Sequence, residues 1–159
     1  MASYEATVRW RRGADETFTD NRYSRAHEWA FDGGALVRAS SSPQVVRVPL
    51  SDPTGIDPEE AFVAALSSCH MLFFLSFAAR QGFTVASYTD QAVGVVTKGP
   101  DRREWISQVT LRPHVVFESD RRPAAADVDA LHHAAHETCY IANSVRTEIA
   151  VEGRSDGLV

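Results

Sequence analysis

Two cysteines are the whole complement of this 159-residue chain. That scarcity argues against a disulfide-stapled secreted scaffold, which at this size carries more of them. No secretory leader is expected either. Met1–Arg11 alternates apolar and charged residues, with neither a continuous apolar run nor a small-residue cleavage site, so a cytoplasmic, reducing setting is expected. In that setting a lasting disulfide is not expected, whereas a transient, catalytic or sensory one is. Positive charge is scarce as well: the formal net charge is −5, and no run of Lys and Arg exceeds two residues, as at Arg11–Arg12 and Arg102–Arg103. No basic field is available for nucleic-acid phosphates, and nucleic acid is not an expected partner. Repeats, low-complexity tracts and linkers are lacking, and residues 1–159 read as a single domain with a real core.

What is present begins with alternation. Tyr4–Arg11 places Tyr4, Ala6, Val8 and Trp10 on one face, and Arg25–Phe31 and Ala35–Ala39 follow with Asp32-Gly33-Gly34 between them, as in a strand meander. Ser40–Gly55 carries Pro43, Pro49, Pro53 and three consecutive serines, which break helix and interrupt sheet. It reads as a crossing loop, with Val45–Leu50 as its one short-strand candidate. Asp57-Pro58-Glu59-Glu60 is a helix start: Asp57 as N-cap, Pro58 where its missing N–H costs nothing, and Glu60 placed for a capping box. The helix is expected to run to Gly82. From Ala61 to Ala79 it is apolar on nearly every face, interrupted by Ser67, Ser68, Cys69, His70 and Ser76. Such a helix lies buried at the centre of a fold or crosses a membrane. The polar cluster at its middle and the lack of a second span favour the buried helix, with no membrane partner.

Beyond Gly82, the alternating stretches Thr84–Lys98 and Trp105–Glu118 are joined by Gly99-Pro100-Asp101, as in a hairpin. A second helix follows Pro123 through Val128, Leu131 and Ala135 to Cys139, and a last strand spans Val145–Val151. The order β-β-β-α-β-β-α-β comes in blocks, which argues for an α+β sheet packed by helices over a doubly wound parallel fold.

Each cysteine lies in a helical pattern of its own. Cys69 falls eleven residues after Pro58, beyond the helix dipole, whose effect fades within the first turn. A thiolate there needs another source of positive charge, usually an Arg. The bland alternative is an inert buried thiol acting as a small hydrophobe. Around the other cysteine, helical spacing places His132, His136 and Cys139 on one face at i, i+4 and i+7, and these residue types also ligate zinc. No tight second cluster completes a tetrahedron, although Cys69-His70 could join. A half-buried face of singly hydrogen-bonded histidines explains the same pattern.

The run from Asp57-Pro58-Glu59-Glu60 through Ser67-Ser68-Cys69 resembles the Pro-Glu-Glu … Cys helix of the OsmC/Ohr family, the osmotically inducible and organic hydroperoxide resistance proteins. His136-Glu137-Thr138-Cys139 resembles that family's second cysteine helix, and the element order agrees. The resemblance implies an OsmC-like α+β fold in which antiparallel-rich sheets wrap around a long buried central helix, in an intertwined homodimer with active sites at the interface. It implies a cysteine-based thiol peroxidase that reduces organic hydroperoxides to alcohols, with hydrogen peroxide as a further candidate substrate. Carried over, the peroxidatic cysteine is Cys69, the resolving cysteine is Cys139, and the carboxylate is Glu59, ten residues before Cys69. The Arg is Arg25, in Tyr23-Ser24-Arg25-Ala26-His27, with Arg22 as reserve. No bound cofactor is implied; an external dithiol, such as a lipoylated protein, resets the thiols.

On one straight helix Glu59 and Cys69 stand about 15 Å apart at about 1.5 Å per residue, too far for one Arg to bridge. The Arg25–Glu59 pair is therefore expected to serve the partner subunit's Cys69. Phe62, Phe73, Phe74, Phe77, Trp29 and Trp105 are candidate apolar walls, with plain core as the alternative. Three positions depart from the family pattern: Tyr140 where many members have Pro, Ser67-Ser68 in place of small apolar residues, and His70, which reads as a local base or a buried hydrogen-bonded imidazole. Two rival readings stand beside the peroxidase. One is an OsmC-like small-molecule or partner-binding protein without turnover; the other is a metal-binding protein built on His132, His136 and Cys139.

Overall fold

In the computed structural model, which describes residues 2–118 and 121–159, the alternating first third of the chain folds as an antiparallel sheet of order β1-β2-β3. Its strands are β1 (Ala6–Arg9), β2 (His27–Phe31) and β3 (Leu36–Ala39). The β2–β3 turn closes where expected: Gly34 adopts a positive φ of 85°, and its N–H bonds the Phe31 carbonyl at 3.0 Å. A side chain at that φ would be strained, which is why glycine stands there. Ser40–Gly55 crosses as turns, and Val45–Leu50 forms no strand. Pro49, in cis, and Pro43 and Pro53 remove the donors a ladder would need. The chain divides into two compact units, Met1–Ala61 and Phe62–Val159.

The helix α1 runs from Pro58 to Arg80. Its start is the reciprocal box read from the sequence: Asp57 Oδ1 accepts from the Glu60 N–H at 2.8 Å, and Glu60 Oε2 accepts from the Asp57 N–H at 3.1 Å. Its end is a glycine cap. Gly82 has φ 78°, and the Phe83 N–H reaches back to the Ala78 carbonyl at 3.0 Å. By length and composition α1 could cross a membrane. Within the single chain it buries one stripe at four-residue spacing, Leu66, His70, Phe74 and Ala78, and leaves Leu72 61% exposed.

The two long alternating stretches each resolve into two strands. Thr84–Lys98 becomes β4 (Thr84–Asp90) and β5 (Val93–Lys98), and the following stretch becomes β6 (Glu104–Leu111) and β7 (Pro113–Glu118). The hairpin around Gly99 survives as β5–β6, while β4 pairs with β7 in a different sheet. Asp90 fixes the break, since its Oδ1 accepts from the Arg112 N–H at 2.6 Å and its Oδ2 from the Ser67 hydroxyl at 2.5 Å. Pro113, with no N–H of its own, begins the new ladder opposite Asp90.

After Pro123, α2 spans Ala125–Thr138. The last expected strand starts later than its alternation suggests, as β8 (Glu148–Val151), because a 3-10 turn at Ala142–Ser144 precedes it. It pairs parallel with β6, and a short β9 (Arg154–Asp156), unread in the sequence, pairs parallel with β7. The second unit thus carries sheets of order β4-β7-β9 and β5-β6-β8. Phe74 and Ala78 of α1, Leu131 and Ala135 of α2, and Val115 and Phe117 of β7 share one core cluster. Truncating Phe74, which is fully buried there, is expected to cost about 3–5 kcal/mol. Urea unfolding of Phe74→Ala against the parent checks this.

Candidate active site

In the second unit the two cysteines, far apart in sequence, meet. The buried stripe of α1 turns His70 inward and leaves its neighbour Cys69 at the stripe's edge, half-buried. Cys139 is the C-cap of α2 and only 1% exposed. Its N–H still bonds the Ala135 carbonyl at 3.0 Å, and its own carbonyl accepts from the Asn143 N–H and side-chain amide, both at 3.0 Å. The Ala142 N–H donates to its Sγ at 3.4 Å. Both thiols are free. Burial first, then the neighbouring Cys69 side chain, pushes the Cys139 thiol up to about 11. Cys139 is therefore a protonated thiol at neutral pH, held against a more accessible sulfur.

One residue from Cys69 lies a buried imidazole pair. His70 Nε2 and His132 Nδ1 are 3.0 Å apart and share a hydrogen bond, with the rings stacked at 5.3 Å and 12°. Burial, followed by the charges of His132 and His136, lowers His70 to about 4. Burial lowers His132 as well, opposed by Asp129 and Asp90. Of the two readings the sequence left for His70, the structure shows the hydrogen-bonded imidazole. The zinc alternative has no matching geometry: among the described residues no three His, Cys, Asp or Glu side chains converge to hold a metal ion. His132 is turned to His70 instead.

The first unit holds a groove of about 460 Å³ that Arg25 and Glu59 both line. Arg22 does not line it. The Arg25 backbone is anchored by its N–H to the Leu50 carbonyl at 2.7 Å. Its guanidinium lies 3.8 Å from the Tyr23 ring centroid and donates to the Tyr23 carbonyl and to Asn21 Oδ1, the latter at 2.8 Å. Arg25 and Glu59 make no hydrogen bond or ion pair with each other among the described residues. The groove's aromatic wall is Trp10, Phe18 and Tyr23, with Phe18 stacked on Tyr23 at 4.7 Å and Trp10 edge-on to Tyr23 at 5.3 Å. None of the six aromatics named from the sequence lines it; Phe74 is core. Trp10 closing an alternating strand and Tyr23 two residues before Arg25 were the available signals.

A family model described as OsmC-like protein matches residues 51–153. Among solved structures, an OsmC-like protein of unknown function from Vibrio cholerae O1 biovar eltor is 54% identical, with 97% of this chain and 100% of that chain covered and a TM-score of 0.94. The organic hydroperoxide resistance protein OhrB of Bacillus subtilis has the same fold at 17% identity, 98% coverage of both chains and a TM-score of 0.63. One from Elizabethkingia anophelis has it at 14% identity, 98% and 96% coverage and a TM-score of 0.65. No curated protein matches the chain. These likenesses bear out the α+β fold of OsmC/Ohr type expected from the two cysteine helices.

The imidazole pair has a consequence for acid stability. Unfolding returns His70 to an ordinary value of 6.5, from about 4 in the fold. Between those values the unfolded chain binds a proton that the folded chain excludes, so stability is present above 6.5 and is lost as pH falls through the folded value. Urea midpoints are expected to decline across that window. His70→Gln keeps a donor for His132 and does not titrate, so its decline should be shallower; equal slopes would place the acid sensitivity elsewhere.

Proposed function

The chain belongs to the OsmC-like protein family, and from that premise we propose that it is a cytoplasmic thiol-dependent peroxidase that reduces organic hydroperoxides. The observation that carries this reading is the pairing of half-buried Cys69 with buried Cys139, whose thiol Cys69 helps to push up. An accessible sulfur and a buried protonated one suit a nucleophile and its resolving partner.

The Cys69 thiolate attacks the terminal oxygen of the hydroperoxide. The O–O bond breaks, the alkoxide leaves as an alcohol after taking a proton, and Cys69 becomes a sulfenic acid. Cys139 then bonds to the Cys69 sulfur; the hydroxyl leaves and is completed to water by the proton Cys139 gives up, leaving a disulfide. An external dithiol, oxidised to its own disulfide, returns both thiols, and no bound cofactor takes part.

Arg25 supplies the positive charge for the thiolate, with Glu59 on the same groove. The apolar, aromatic groove they line suits an organic tail better than hydrogen peroxide. The functional form is a homodimer in which this groove serves the partner subunit's Cys69. What supports the dimer is the apolar surface that one chain leaves uncovered, including Val8, Phe18, Leu36 and Val45 of the first unit and Leu72 of α1.

One equivalent of cumene hydroperoxide is expected to remove two thiols from the reduced protein and none from Cys69→Ser, and to leave a trappable sulfenic acid in Cys139→Ser. Unchanged thiols in the parent would discard turnover in favour of a binding role. Arg25→Gln should slow Cys69 oxidation on the order of a hundredfold. Subunits of Arg25→Gln and Cys69→Ser, each inactive alone, should regain part of the activity when exchanged into mixed dimers. If they do not, the charge is supplied within one chain.

A further inference from the structure

A second cavity, of about 510 Å³, opens in the second unit beside α2 and the β8–β9 stretch, and the thiol chemistry makes no use of it. His132 is part of its wall and only 8% exposed. Its Nδ1 is taken by His70, but its Nε2 is buried with no partner among the described residues. Ser155, on the same wall, has its Oγ buried without a partner among them as well. Folded proteins rarely leave such groups unsatisfied, and two on one cavity wall call for an occupant.

Gly153 lies close to that ring: a Cβ there would stand 2.9 Å from His132 Nε2, so no side chain fits without displacing it. With the shared proton on His70 Nε2, His132 accepts at Nδ1 and has Nε2–H left to donate. What favours an anion is the set of donors rather than the net charge: Arg154 forms no ion pair among the described residues, Glu152 is engaged by Arg112 at 3.0 Å, and Asp129 is the lining carboxylate that opposes Arg154. Val128, Ile149 and Leu158 give the rest of the wall an apolar character.

We propose that this cavity binds a small monocarboxylate with a short aliphatic tail. The carboxylate accepts from His132 Nε2 and Ser155 Oγ with Arg154 beside it, and the tail lies on Val128, Ile149 and Leu158. A phosphate dianion would lack fixed charge to balance it, and its oxygens would meet the apolar wall. Through the His70–His132 hydrogen bond, the occupied site would touch the helix that carries Cys69.

The test is a calorimetric titration of hexanoate into the full-length chain carrying Arg25→Gln, so that the groove of the first unit does not hold the anion. Saturable binding at one per chain is expected, with no saturable binding of hexylamine or hexanol. Gly153→Ala, whose methyl would crowd Nε2, and Arg154→Gln should each weaken hexanoate by about tenfold. Absence of saturable hexanoate binding, equal binding of hexylamine, or hexanoate binding indifferent to both substitutions would overturn the proposal. If Gly153→Ala fails to fold, Arg154→Gln decides alone. None of these results depends on whether the thiols react with peroxide.

Discussion

Where α1 packs on α2, three residues of its buried stripe, His70, Phe74 and Ala78, meet Leu131, His132 and Ala135 of the second helix. Apolar side chains alone tolerate several helix registers at similar cost. The hydrogen bond between His70 and His132 does not, because sliding either helix would strand two imidazoles in an apolar interior. That bond accounts for the placing of the sulfurs. Cys69 is held at the edge of the stripe, and α2, kept in register, ends with Cys139 against it. A buried polar pair thus does for geometry what greasier packing would do only for stability.

The groups that the proposed reaction would use are divided between the two units. The thiols belong to the second, while Arg25, Glu59 and the aromatic groove belong to the first. Neither unit holds the full set. The guanidinium is held by Asn21 and Tyr23, and among the described residues it forms no ion pair with a carboxylate.

Legibility in the sequence followed the range of the interaction. The Asp57/Glu60 box, the Gly82 cap and the Gly34 turn are made by neighbours in the chain, and local chemistry announced them. The break at Asp90 and Arg112 was hidden because apolar alternation continues across it; what ends the ladder is a side chain reaching between distant backbones. β9 was hidden because three residues in a parallel pair owe their conformation to β7 rather than to their own pattern. At the site, both cysteines and both histidines stood out singly. That His70 finds His132, and that Trp10, Phe18 and Tyr23 gather around Arg25, are facts of tertiary packing that no spacing within one element encodes.

The burial of Cys139 also sets how an oxidised pair would be reopened. In a Cys69–Cys139 disulfide the sulfur open to an incoming thiolate is Cys69, so the sulfur to be expelled is Cys139. Exchange slows as the departing thiol becomes more basic, and Cys139 is the group whose proton affinity the fold has raised. The same enclosure that raises the Cys139 thiol would make it a poor leaving group. Reduction then favours a reagent whose second thiol closes on its own first sulfur before Cys69 can be recaptured, which a dithiol does and a lone monothiol does not.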